Sequence, residues 1–158
     1  EVLRKGGDCV MLTTGTMVLP AVAAAEALHT EGIHCTVVNC RFLKPYDRAV
    51  FEKVVRSHPT VLTIEEGQIS NGFGAFMARE IHALELVTVP RIASMGMPDE
   101  FIEHGARDGL LADIGLNVEG ITSRARTLVA SGLPRTPSTS LSTADSPSAT
   151  LPRGSVRA

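Results

Sequence analysis

The sequence predicts an α/β fold, in which a mostly parallel sheet is covered by helices on both faces in three layers. Two patterns point there. Short β-prone apolar runs alternate with stretches whose apolar residues recur at helical spacing, and that alternation implies parallel strands joined by right-handed crossovers. Apolar residues make up 44% of the 158 positions, enough for one packed domain.

The elements follow in order. CVMLTT (9–14) is a first strand ending at Gly15. Pro20 suits the opening turn of a helix carrying Val18, Ala21, Val22, Ala25 and Leu28, which Gly32 stops. HCTVVNC (34–40) is the second strand, and RFLKPYD connects it to a helix. Asp47 caps that helix, whose apolar stripe is Val50, Phe51, Val54 and Val55, and His58-Pro59 closes it. TVLTIEE (60–66) is the third strand. A glycine turn leads into a helix with Phe73, Phe76, Met77, Ile81 and Leu84 on one side. RIASMG (91–96) is the fourth strand, followed by the irregular MPDEFIEHG. ARDGLLADIGL is a short helix ending at Gly115, and Asn117 caps a last helix through Ile121, Ala125 and Leu128. The domain is expected over 1–133. Residues 134–158, rich in Ser, Thr and Pro without apolar period, are expected to be a disordered tail.

Charge and composition exclude several functions. The net charge of −2 divides into about +2 on the tail and −4 on the rest, which gives no field for nucleic acid. No stretch reaches the roughly 20 apolar residues of a membrane span, and the N-terminus has no signal-peptide pattern. The chain lacks a starting Met and is expected to be a piece of a longer protein. Cys9, Cys35 and Cys40 form no CxxC and have no ligand-spaced partners, so they read as buried thiols of a reducing, cytoplasmic compartment.

The chemistry-bearing stretch is VLTIEEGQISNGFGAFMAREI (61–81). Its Gly72-x-Gly74 suggests a pyrophosphate turn, but the fingerprint fails. Met77 stands where Gly or Ala belongs, four residues from Gln68 to Asn71 lengthen the turn, and Glu65 and Glu66 would repel an anion. Adjacent glutamates on a strand point to opposite faces. One is expected to receive the turn's own N–H groups and the other to face a neighbouring domain. As an acid–base pair they are poorly placed. His104 reads as a loop histidine, with a substrate-facing or interface role as the alternative. Arg41 and Lys44 read as an interdomain or solvated pair rather than a phosphate site, and Thr13-Thr14-Gly15-Thr16 as an ordinary turn. His29, His34, His58 and His82 receive no site.

Four stretches together resemble one family. These are RFLKPYD (Arg41, Phe42, Lys44, Pro45, Asp47), the Glu65-Glu66…Gly72-x-Gly74 turn, and GMPDEFIEHG (Gly96, Pro98, Asp99, Phe101, Ile102, Gly105). The fourth is LLADIGLNVEGI (Leu111, Ala112, Gly115, Leu116, Gly120, Ile121). Their order and spacing are similar to the C-terminal domain of the 1-deoxy-D-xylulose-5-phosphate synthases, in the transketolase-like, thiamine-diphosphate-dependent group. Asn71 departs from the glycine common at that position.

The resemblance implies a Rossmann-like three-layer domain of an enzyme that condenses pyruvate with glyceraldehyde 3-phosphate, releasing carbon dioxide. It implies that thiamine diphosphate and Mg2+ are held by upstream domains, with none in this chain. The upstream thiamine-binding domains and a second copy in a homodimer are then its partners, with no nucleic acid and no membrane. Its role is non-catalytic support, with Glu65, Glu66, Asn71, Gly72, Gly74 and His104 as interface candidates and no catalytic, cofactor-binding or metal-binding residue. The matching domain of a transketolase or of an oxo-acid dehydrogenase β subunit is an alternative, as is a freestanding α/β binding module.

Overall fold

A computed structural model describes residues 1–132; the expected tail lies outside the described residues. Five strands form one sheet in the order β1-β3-β2-β4-β5. They are β1 (Val2–Arg4), β2 (Cys9–Thr13), β3 (Cys35–Asn39), β4 (Thr60–Gln68) and β5 (Arg91–Met97). β2, β3, β4 and β5 pair in parallel, and β1 lies antiparallel on β3 at the edge. The helices are α1 (Val18–Thr30), α2 (Arg48–Arg56), α3 (Phe73–His82), α4 (Arg107–Asp113) and α5 (Val118–Gly132).

The connections decide which helix covers which face. β3 lies on one side of β2 and β4 on the other. Right-handed crossovers that run in opposite directions place their helices on opposite faces. Side-chain alternation along the strands matches this arrangement. Cys9, Met11, Leu62 and Ile64 pack with Ala21, Leu28, Ile121 and Leu128 under α1 and α5. Val10, Leu12 and Val61 pack with Phe51, Val55, Met77 and Ile81 under α2 and α3. β2 is buried along its whole length, as the middle strand of a two-sided core must be.

Two details differ from the sequence reading. The edge strand β1 is unforeseen because three exposed or half-exposed residues carry no two-residue alternation. Also, α1 begins at Val18 after one 3-10 turn, Gly15–Met17, so Pro20 is its third residue. Pro20 is still in the first turn, where a missing N–H costs nothing. Elsewhere the expected signals operate. Asp47 accepts from Val50 N at 3.0 Å, Asn117 accepts from Gly120 N at 2.8 Å, and Gly32 and Gly115 take the positive φ that ends α1 and α4. His58 joins Val54 O at the end of α2 to Gly6 O and Thr36 Oγ1, which gives it a role in packing.

Leu62 is fully buried on the central strand β4. L62A is expected to lose about 2–5 kcal/mol of stability, read from urea unfolding.

Candidate functional site

Parallel α/β sheets bind ligands outside the carboxyl ends of strands, where neighbouring connections diverge. Here that point lies between β2 and β4, because β2 runs on to β3 and β4 to β5 on opposite sides. The residues there are the Thr14-Gly15-Thr16 turn after β2 and the Glu65-Glu66 pair near the end of β4.

The two carboxylates diverge, as strand alternation requires. Glu65 is buried on the α2/α3 face and accepts hydrogen bonds from Phe73 N at 2.8 Å and Gly74 N at 2.7 Å. It therefore supplies the negative charge that the first turn of α3 favours and satisfies two otherwise orphaned donors. This is the expected arrangement in which one glutamate receives the turn's own N–H groups. The neighbouring glycines make room for it. A Cβ on Gly72 would collide with the Glu65 carboxylate and Gln68 O, and one on Gly74 would lie 2.5 Å from Thr63 Oγ1 and 2.9 Å from Ser94 Oγ. Gly72 and Gly74 thus serve a close approach of α3 to the sheet.

Glu66 lies on the opposite face. It accepts from Thr16 Oγ1 and from the Arg107 guanidinium, whose Nε is 2.9 Å from Oε1. These hydrogen bonds, that from Arg107 foremost, hold the Glu66 carboxyl below the usual carboxylate range. β4 thereby clasps the start of the β2–α1 connection and the first residue of α4. Arg107 escaped the sequence reading, because its partner is 41 positions away and no local pattern marks it.

The switch-point crevice is therefore filled by the protein's own side chains. The donors that would hold a diphosphate at α3 are taken by Glu65, and Glu66 sits against the turn after β2. No group of three or more His, Cys, Asp or Glu able to hold a metal occurs among the described residues. The α3 terminus therefore offers no free pair of donors to a diphosphate at Phe73 and Gly74.

The remaining candidates lie apart. Asn71 is exposed in the loop before α3, and His104 is exposed between β5 and α4. The structure brings Glu65, Gly72 and Gly74 together and leaves Asn71 and His104 on the surface. Beside them the loops after β3 and β5 carry exposed apolar side chains, Phe42, Leu43, Phe101 and Ile102. A cavity lined by Glu66, Met97, Ile102, Gly105, Arg107 and Leu111 adjoins the clasp. The three cysteines are free, with Cys9 and Cys35 fully buried and Cys40 half-buried.

The family described as "Transketolase, C-terminal domain" matches residues 1–121. The chain is 42% identical over 129 residues to the 1-deoxy-D-xylulose-5-phosphate synthase of Bacillus velezensis, covering 82% of this chain and 20% of that protein. It is 45% identical over 131 residues to 1-deoxy-D-xylulose-5-phosphate synthase 2 of Geobacter sulfurreducens, covering 82% and 21%. The chain thus spans about a fifth of the length of the curated relatives it matches. Among solved structures it resembles one titled "Split gene transketolase, inactive beta4 tetramer", with TM-score 0.75 and 28% identity, covering 82% of this chain and 42% of the other. A transketolase of Campylobacter jejuni shares the fold, with TM-score 0.58 and 20% identity, over 80% of this chain and 18% of that one.

Removing the Glu65 carboxylate leaves two buried N–H groups unpaired. E65A is expected to cost about 2–4 kcal/mol in denaturant unfolding, and E65Q, which keeps one acceptor oxygen, less than E65A. Glu66 gives a pH signature. Its folded pKa is depressed, so its contribution is present above the unfolded value of ~4.3 and lost as pH falls through the folded one. Acid unfolding followed by circular dichroism should be shallower below that value in E66Q than in the unsubstituted chain.

Proposed function

Because this chain belongs to the transketolase C-terminal-domain family, we propose that it is the C-terminal domain of a 1-deoxy-D-xylulose-5-phosphate synthase. The complete enzyme joins the two-carbon unit of pyruvate to glyceraldehyde 3-phosphate with loss of carbon dioxide. Domains preceding Glu1 hold thiamine diphosphate and Mg2+, and the cofactor supplies the carbanion chemistry there. The domain closes at the end of α5, near residue 133, and residues 134–158 are an appended tail. The enzyme works as a cytoplasmic homodimer.

One observation carries the division of labour. The crevice where an α/β sheet ordinarily takes a ligand is occupied by Glu65 and Glu66, which tie α3, α4 and the β2–α1 turn to the sheet. A domain so built supports its neighbours through its surface. Asn71 and His104, with the exposed apolar side chains of the loops after β3 and β5, are the contact residues of that surface. Glu65, Gly72 and Gly74 shape it from within, and Glu66 borders it. The relatives' shared name favours a synthase over a transketolase or dehydrogenase subunit.

The test compares this chain with a longer chain from the same gene that includes the upstream region. The product sugar phosphate and carbon dioxide are expected from the longer chain with thiamine diphosphate and Mg2+. The 158-residue chain should give none. Pyruvate decarboxylation by the shorter chain alone would overturn the reading.

A further inference from the structure

Two histidines that carry no motif in the sequence meet at the turn between α1 and β3. His29 lies in the last turn of α1, and His34 directly precedes β3. Their Nδ1 atoms are 2.9 Å apart, and their ring centroids are 4.9 Å apart with the planes tilted by 59°. Both side chains are exposed. In the neutral pair one Nδ1 donates its N–H and the other accepts it.

The backbone on both sides holds this approach. Leu28 and Cys35, the residues that flank the pair, are fully buried. Gly32 takes a φ of +82°, Gly32 N donates to His29 O at 3.1 Å, and Ile33 N donates to Leu28 O at 3.0 Å. Asp8 secures the other histidine: its Oδ2 accepts from His34 N at 2.7 Å, and its N donates to His34 O at 2.9 Å. The two imidazoles thus stand on backbone that is fixed before any ligand arrives, which lowers the ordering cost of binding. The carboxyl end of α1 also favours positive charge at this place.

Metal–imidazole bonds of about 2.0–2.1 Å span roughly 2.8–3.0 Å at a right angle and roughly 3.3–3.4 Å at the tetrahedral angle. The observed 2.9 Å matches the right angle. Nitrogen ligands so disposed suit the square-planar or tetragonal ions Ni2+ and Cu2+ better than tetrahedral Zn2+. We propose that His29 and His34 form a two-histidine site for a divalent transition-metal ion of this kind, which joins the end of α1 to the start of β3. The ion takes the place of the shared proton. The donating ring carries that proton on Nε2 instead, so both Nδ1 lone pairs face the metal and no proton is released. Water completes the coordination from the exposed side. The site lies at the start of β3, at the opposite end of the sheet from the Glu65–Glu66 junction, and is independent of the synthase reading.

Ni2+ is the probe, because unlike Cu2+ it does not oxidise thiols. Titration calorimetry on the 158-residue chain, free of any affinity tag, should show one Ni2+ bound per chain. H29A and H34A should each weaken binding about tenfold or more, and H29Q should behave as H29A. H82A removes an exposed histidine at the end of α3 and should bind as the unsubstituted chain does. Ni2+ should also raise the Tm of the unsubstituted chain and leave that of the H29A/H34A double variant unchanged. Circular dichroism of each variant separates a lost ligand from a lost fold. The proposal is overturned if no Ni2+ binds, if the double variant binds it as tightly as the unsubstituted chain, or if H82A loses as much affinity as H29A. Tighter binding of Zn2+ than of Ni2+ overturns it as well, and so does one Ni2+ per two chains, which would make the metal a bridge between copies.

Discussion

The arrangement rests on a carboxylate buried beneath a helix. Glu65 is on β4, yet its partners are the first N–H groups of α3, eight and nine positions later across a loop. A buried carboxylate is costly unless its lone pairs are filled, and an N-terminal helix turn is costly unless its donors are. Each group meets the other's need. The exchange fixes the distance between helix and strand. Gly72 and Gly74 are required because a Cβ at either would occupy the space that closeness removes. The glycines that resemble a phosphate turn hold an internal anion in place of an external one.

The adjacent residue extends the same logic across the sheet. The two-residue alternation that sends Glu65 toward α3 sends Glu66 toward Thr16 and Arg107. Two consecutive side chains thus secure both layers of helices at one end of β4. This is also where the β4–β5 register shifts, between Ile64 and Gln68. A bulge re-aims side chains and ends regular pairing. The strand therefore changes from core filler to structural junction within three residues of Ile64.

Much of this was legible in the amino acids. Four strands and five helices follow from apolar period, from Asp47 and Asn117 as caps, and from Gly32 and Gly115 as stops. The opposed directions of Glu65 and Glu66 follow from strand geometry alone. What was hidden is non-local. β1 is held by Val38 and Asn39, more than 30 positions away, and not by any pattern of its own. Arg107 is defined as a partner of Glu66 only once α4 folds back over the sheet. The cavity beside Cys40 is a meeting of β2, β3, α2 and α3 that no single segment announces.

These features separate the two ends of the domain's role. At the switch point Glu65 is held by backbone N–H groups of α3, and Glu66 by Thr16 and the Arg107 ion pair, so rigidity is built where other α/β domains build recognition. Beside it, at the ends of β2 and β3, a partly open apolar hollow remains, and a three-residue strand, β1, lines the β3 edge. A strand of that length contributes little stability by itself. The parallel strands build the core, and among the described residues the one antiparallel strand closes its β3 edge.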